Sequence, residues 1–139
     1  MQAWWIYALL SAIFASLTAI LAKIGIKGVD SDVATALRTA VILVFAWGIV
    51  FFRGRAAEVT SLSRHSLIFI VLSGFATGLS WLFYFRALQT GKVSLVAPID
   101  KASLALTILL AVVFLGETLT IKTAAGGALI LAGTLVLIL

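Results

Sequence analysis

Cysteine is missing from this chain of 139 residues, proline occurs once, and charged residues make up only 11%. The lack of cysteine excludes disulfides and thiolate metal sites and says nothing about compartment. The scarcity of charge excludes more, because a soluble domain carries about 25% charged residues to face water. With 63% hydrophobic residues and a mean hydropathy of +1.25, the chain has the composition of a membrane-integral protein. Paired carboxylates, a nucleophile–base pair, a glycine-rich phosphate loop and metal-ligand spacings are missing as well. Those gaps argue against an enzyme and imply no cofactor. The net charge of +5 does not point to nucleic acid, because the basic residues stand singly at the ends of apolar runs. There they anchor helices to lipid headgroups.

What is present is a set of long apolar runs. About 20 such residues span a bilayer, and five spans are predicted, over about residues 3–22, 33–52, 66–88, 94–115 and 123–138. Trp4, Trp5 and Tyr7 give the first an interfacial belt. Ser31 or Asp32 is the expected cap of the second. The first run lacks a basic leader and is too long for a signal peptide, so it is expected to be retained. Short connectors make neighbouring helices antiparallel. The expected architecture is an all-α integral membrane protein of five transmembrane helices, one domain over residues 1–139.

Five spans put the termini on opposite sides. Connectors on the N-terminal side carry Arg53, Arg55, Arg64 and Lys122, and those on the other side carry Lys23, Lys27, Arg86 and Lys92. Four against four gives the positive-inside rule nothing to act on. Either local context or a partner fixes the orientation, or the chain inserts both ways. Dual insertion would permit an antiparallel homodimer with the inverted-repeat symmetry of larger transporters.

Two opposite charges, Asp100 and Lys101, sit side by side in the fourth run. Ionised groups in a bilayer core cost roughly 2.5–3.5 kcal/mol each on insertion scales, so they mark function by default. Neighbours on a helix point about 100° apart, so these two are not expected to pair with each other. Asp100 shares a face with Ser103 and Thr107, while Lys101 lies over Ala97 and Ala105. Arg38 in the second span is the candidate partner. At ~1.5 Å per residue it lies roughly 8 Å below the same membrane face from which Asp100 lies roughly 10 Å deep. The expectation is an Arg38–Asp100 pair facing a cavity, with Lys101 nearby. The excess positive charge suits a substrate carboxylate or phosphate. Alternatively, Asp100 takes up a proton as substrate leaves.

The single proline, Pro98, stands just before this doublet. A helix beginning at Pro98 would put Asp100 in its first turn, near the headgroups. A helix beginning near Ser94 and kinked at Pro98 fits better, since residues 93–96 would otherwise be apolar chain without helix. Broken helices in membranes line cavities.

The third span carries two stripes. Ser73, Thr77, Ser80 and Tyr84 form a hydroxyl stripe, with Gly74, Gly78, Trp81 and Phe85 one step round. The first suits the lining of a substrate path, with Trp81 and Tyr84 as stacking surfaces. The alternative is that the hydroxyls bond their own helix backbone and the aromatics pack against lipid. In the second stripe, Gly74 and Gly78 make a small-xxx-small contact for close helix approach. In the fifth span Ala124, Ala128 and Ala132, beside Gly126, Gly127 and Gly133, form a packing surface and the natural contact with another subunit. His65 is read as an interfacial residue.

These residues resemble a known family. Tyr84-Phe85-Arg86-Ala87-Leu88, then Gly91, Pro98 and Leu115-Gly116-Glu117-Thr118-Leu119-Thr120, are similar to the EamA repeat of the drug/metabolite transporter superfamily. Lys23, Arg38 and the glycines 126, 127 and 133 fit as well. The resemblance covers essentially the whole chain, as a single-repeat, five-helix form where most members have two repeats. It implies secondary transport without ATP, often efflux of small metabolites, amino acids or drugs. It further implies a central cavity lined mainly by helices one to four, with the fifth packing between repeats, and two chains in inverted orientation. Two-repeat members usually have uncharged residues just after the proline, where this chain has Asp100-Lys101, so their substrates do not transfer. The four-helix multidrug exporters resemble this superfamily and use an acidic residue in their first helix. This chain has none there, and Asp100 would act in its place.

The expected function is that of a transporter subunit in the bacterial cytoplasmic (inner) membrane. It moves a small metabolite or drug-like solute by alternating access, paired with a second copy or a related chain. Its candidate substrate-binding residues are Arg38, Asp100, Lys101, Ser103, Thr107, Ser73, Thr77, Ser80, Trp81 and Tyr84. Two rivals stand beside it: a subunit that flips a lipid-linked metabolite, and an accessory membrane protein that transports nothing.

Overall fold

A computed structural model describes residues 3–139. The helices are α1 (Trp4–Gly25), α2 (Ser31–Phe52), α3 (Arg64–Thr90), α4 (Val93–Asp100), α5 (Ser103–Leu115) and α6 (Ile121–Ile138), with a 3₁₀ turn at Ala56–Ser61. No strand occurs among the described residues. Among the described residues five stretches are long and apolar enough to cross a membrane, with α4 and α5 together forming the fourth. This is the all-α, five-span architecture that the apolar runs predict.

Local chemistry sets the ends of these helices. The cap of α2 is Asp30, not Ser31 or Asp32. Asp30 is extended (φ −62°, ψ 141°), and its Oδ1 accepts from the N–H groups of Asp32 at 2.9 Å and Val33 at 3.3 Å. Ser31 instead becomes the first helical residue and is buried. Gly116 takes the left-handed conformation (φ 67°) that ends α5, which a residue with a Cβ adopts only at a cost. Four residues on, Thr120 accepts from the Thr123 N–H at 3.1 Å and starts α6. The Gly116-Glu117-Thr118-Leu119-Thr120 motif is thus a helix stop followed by a helix start.

The fourth span does not bend at Pro98 alone. It breaks three residues later, at Lys101–Ala102. Here the backbone switches to i→i+3 bonding, from Lys101 to Pro98, Ala102 to Ile99, Leu104 to Lys101 and Ala105 to Ala102, at 3.0–3.1 Å. Pro98 removes one donor from the ladder, and the span continues through a tightened 3₁₀ joint.

The contacts divide the chain into two compact units, one of residues 21–89, the other of residues 90–139 with α1 up to Ile20. In the unit of residues 21–89, the buried apolar residues are Ile26, Phe85 and Leu88. Two long-range bonds tie its chain segments together. The Lys23 ammonium donates to the Leu88 carbonyl, and the Gln89 amide donates to the Val29 carbonyl at 2.6 Å. The buried Thr35 hydroxyl donates to the Ser31 carbonyl at 2.8 Å.

In the other unit, α6 packs on both α4 and α5. A Cβ on Gly127 would lie 3.2 Å from Ile108 Cδ1, so the glycine allows the close approach. Thr134 Oγ1 lies 2.8 Å from the Ile130 carbonyl and 3.5 Å from that of Pro98. The small face of α6 is therefore used within the chain at Gly127 and Thr134, while Ala124, Ala128 and Ala132 point outward. Large apolar side chains elsewhere are open, among them Phe14, Phe75 and Phe114 at 65%, 70% and 78% exposure. In water that would be untenable. In a bilayer, lipid tails are the matching solvent.

Candidate functional site

The predicted site residues fall in both units. Residues 21–89 hold Arg38, Ser73, Thr77, Ser80, Trp81 and Tyr84, and residues 90–139 hold Asp100, Lys101, Ser103 and Thr107.

In the first of these, α2 presents Arg38 to α3. The guanidinium carbon lies 4.6 Å from the centre of the Trp81 ring and 5.4 Å from that of Phe85. Trp81 and Phe85 are four apart on α3, so both rings project from one helix face. Such a cation over an aromatic face gains about 0.5–1 kcal/mol when exposed and about 2 or more when desolvated. Arg38 is half-buried. The contact uses the flat face of the guanidinium, and the five N–H groups lie at its edge. Within its unit no carboxylate pairs with Arg38, since the ion pair there joins Arg55 to Glu58 at 2.9 Å on the surface. The charge is held in place by this arrangement and is not neutralised by it.

Phe85 was not among the predicted site residues. Its place beside Trp81 in the glycine stripe was the available signal. That stripe divides its work. Its aromatic half holds Arg38, while Gly74 and Gly78 open a groove of about 420 Å³ along α3, lined also by Val71, Phe75, Leu79 and Leu82. A Cβ at either glycine would meet nothing within 4 Å. In the hydroxyl stripe, Thr77 donates to the Ser73 carbonyl at 2.9 Å. Its hydroxyl thus serves its own helix. Tyr84 is half-buried and meets Phe85 edge-on, with ring centres 6.3 Å apart.

In the second unit the doublet departs from expectation. Lys101 Nζ and Asp100 Oδ2 form an ion pair at 3.1 Å. The Cβ atoms of neighbouring helical residues do point apart. A lysine carries four methylenes, long enough to swing the ammonium back over its neighbour. In apolar surroundings the nearest opposite charge is strongly preferred, and intramembrane charges pair with one another for this reason. Asp100 ends α4 and Lys101 lies in the joint. The Thr107 hydroxyl donates to the Ser103 carbonyl at 2.9 Å, so it serves its own helix. Within their own units, Arg38 lies over two aromatic rings and Asp100 is paired with Lys101.

The profile of the EamA-like transporter family matches residues 2–139. The chain is also 46% identical, over 98% of its own length and 96% of the relative's, to a Sinorhizobium sp. protein named "Uncharacterized transporter in cobO 3'region". No solved structure is significantly similar. This chain belongs to the EamA-like transporter family, and it is a multi-pass membrane transporter.

Proposed function

We propose that the chain is one half of a secondary transporter for small organic anions, working by alternating access as a dimer in the bacterial cytoplasmic membrane. Arg38 carries this reading. Its guanidinium is pre-oriented over Trp81 and Phe85 and has no carboxylate partner within its unit. A planar fork of N–H donors matches a carboxylate in geometry and charge. Trp81 and Tyr84 add ring surfaces for the body of the solute.

The partner is a second copy or a related chain. Four basic residues on each side leave either insertion open, which an antiparallel homodimer requires. The chain contains no cysteine, so Lys27→Cys and Arg55→Cys report sidedness cleanly. Labelling of each from both membrane faces supports the antiparallel pair, and one-sided labelling of both excludes it.

A second reading, the flipping of a lipid-linked metabolite, draws on the apolar groove of α3 at Gly74 and Gly78. Proteoliposomes offered labelled small carboxylates and amino acids separate the two. Accumulation of a carboxylate inside the vesicles, lost in Arg38→Ala, supports the transporter of soluble anions. Movement of only a lipid-attached probe supports the flippase. Movement of neither leaves the chain as an accessory protein.

A further inference from the structure

In the same unit, where α1 ends, α2 begins and α3 ends, lies a basic pocket that the transport reading does not use. It is a cavity of about 470 Å³, lined by Lys23, Ile26, Lys27, Gly28, Val29 and Gln89. The walls are pinned. Lys23 donates to the Leu88 carbonyl, and Gln89 donates to the Val29 carbonyl. Gly28 turns the chain with φ +78°, in the left-handed region that glycine enters without strain. Lys27 is exposed and has no bond or ion pair of its own among the described residues. Ile26, only 5% exposed, gives the pocket an apolar floor.

Its depth in the bilayer follows from the spans. α1 is a crossing helix that ends at Gly25, and α2 is a crossing helix that starts at Ser31. The loop between them, where the pocket opens, therefore sits at the headgroup layer, outside the ~30 Å hydrocarbon core. The abundant anion at that level is the lipid phosphodiester. Two lysines four residues apart offer point charges without the fixed fork of arginine, which suits a tetrahedral phosphate better than a planar carboxylate. An apolar floor beneath a basic rim fits a phosphate continued by glycerol and the start of an acyl chain. Basic pockets between helix ends are known to take anionic headgroups.

We infer that the pocket at Lys23, Lys27 and Gln89 is a binding site for the phosphodiester headgroup of an anionic membrane lipid. This inference does not depend on which solute the protein carries. The test uses the purified full chain and native mass spectrometry, titrating dioctanoyl phosphatidylglycerol against dioctanoyl phosphatidylcholine. The expected result is a preference of roughly tenfold for the anionic lipid, removed by Lys27→Gln and unchanged by Lys122→Gln. Gln89→Glu, which adds a negative charge to the rim at constant size, weakens phosphatidylglycerol further. Equal binding of both lipids overturns the inference, as does an equal loss in the Lys27→Gln and Lys122→Gln variants. Displacement of the lipid by millimolar inorganic phosphate also overturns it, because the pocket would then serve a soluble anion.

Discussion

Arg38 and the Asp100–Lys101 doublet are both charged groups inside apolar spans, and the protein treats them in opposite ways. Asp100 and Lys101 neutralise each other at 3.1 Å. Arg38 lies on the faces of Trp81 and Phe85, which steadies a cation without cancelling it. The doublet is the more conspicuous in the sequence, yet it is the electrically quieter of the two. The less conspicuous arginine has no carboxylate partner within its own unit. A charge's capacity to bind a solute therefore depends on what it is paired with, more than on how unusual its position is.

The largest effect should separate the two sites. Arg38→Ala is expected to lower carboxylate uptake by proteoliposomes about 10–100-fold, the scale of a lost charge-assisted hydrogen bond. The neutral double variant Asp100→Asn/Lys101→Met should stay within about threefold of wild type. The next effect lies inside the doublet. Each single change strands an ion, at a cost of about 1–2 kcal/mol, below the bilayer-centre value because Asp100 lies only roughly 10 Å from the membrane face. Thermal unfolding in detergent should place both singles below wild type and the double variant near it.

A smaller effect probes the aromatic seat. Trp81→Leu or Phe85→Leu should raise the KM for a carboxylate about two- to fivefold with little change in kcat, as expected from losing a cation–π contact of about 0.5–1 kcal/mol. The smallest concerns the packing beneath the broken span. Gly126→Ala should stabilise α6 by about 0.5–1 kcal/mol through helix propensity. Gly127→Ala should gain less, because its new Cβ meets Ile108 Cδ1 at 3.2 Å. Paired denaturation curves measure the difference.

Much of the fold was legible in the residues. The five spans follow from apolar length alone, since a bilayer imposes that length. The glycine and threonine of the Gly116–Thr120 motif mark a helix end and a helix start by their own conformational preferences. The cap of α2 was misread by one residue, because Asp30, Ser31 and Asp32 are all capping types and only the backbone turn selects among them. The break after Pro98 lies where i→i+3 bonding takes over at Lys101–Ala102, which proline's missing donor suggests but does not locate. The site was less legible. Depth along a helix carries no information about the neighbours a side chain finds at that level. The reach of Lys101 back to Asp100, and the seat that Trp81 and Phe85 make for Arg38, depend on side-chain length and helix facing together.

Carboxylate uptake by proteoliposomes of Arg38→Ala, set beside Asp100→Asn/Lys101→Met under the same gradient, tests the central claim most directly. The account predicts a collapse of uptake in the first and near-normal uptake in the second. Near-normal uptake in Arg38→Ala with collapse in the neutral double variant would contradict it, and would make the doublet the binding centre.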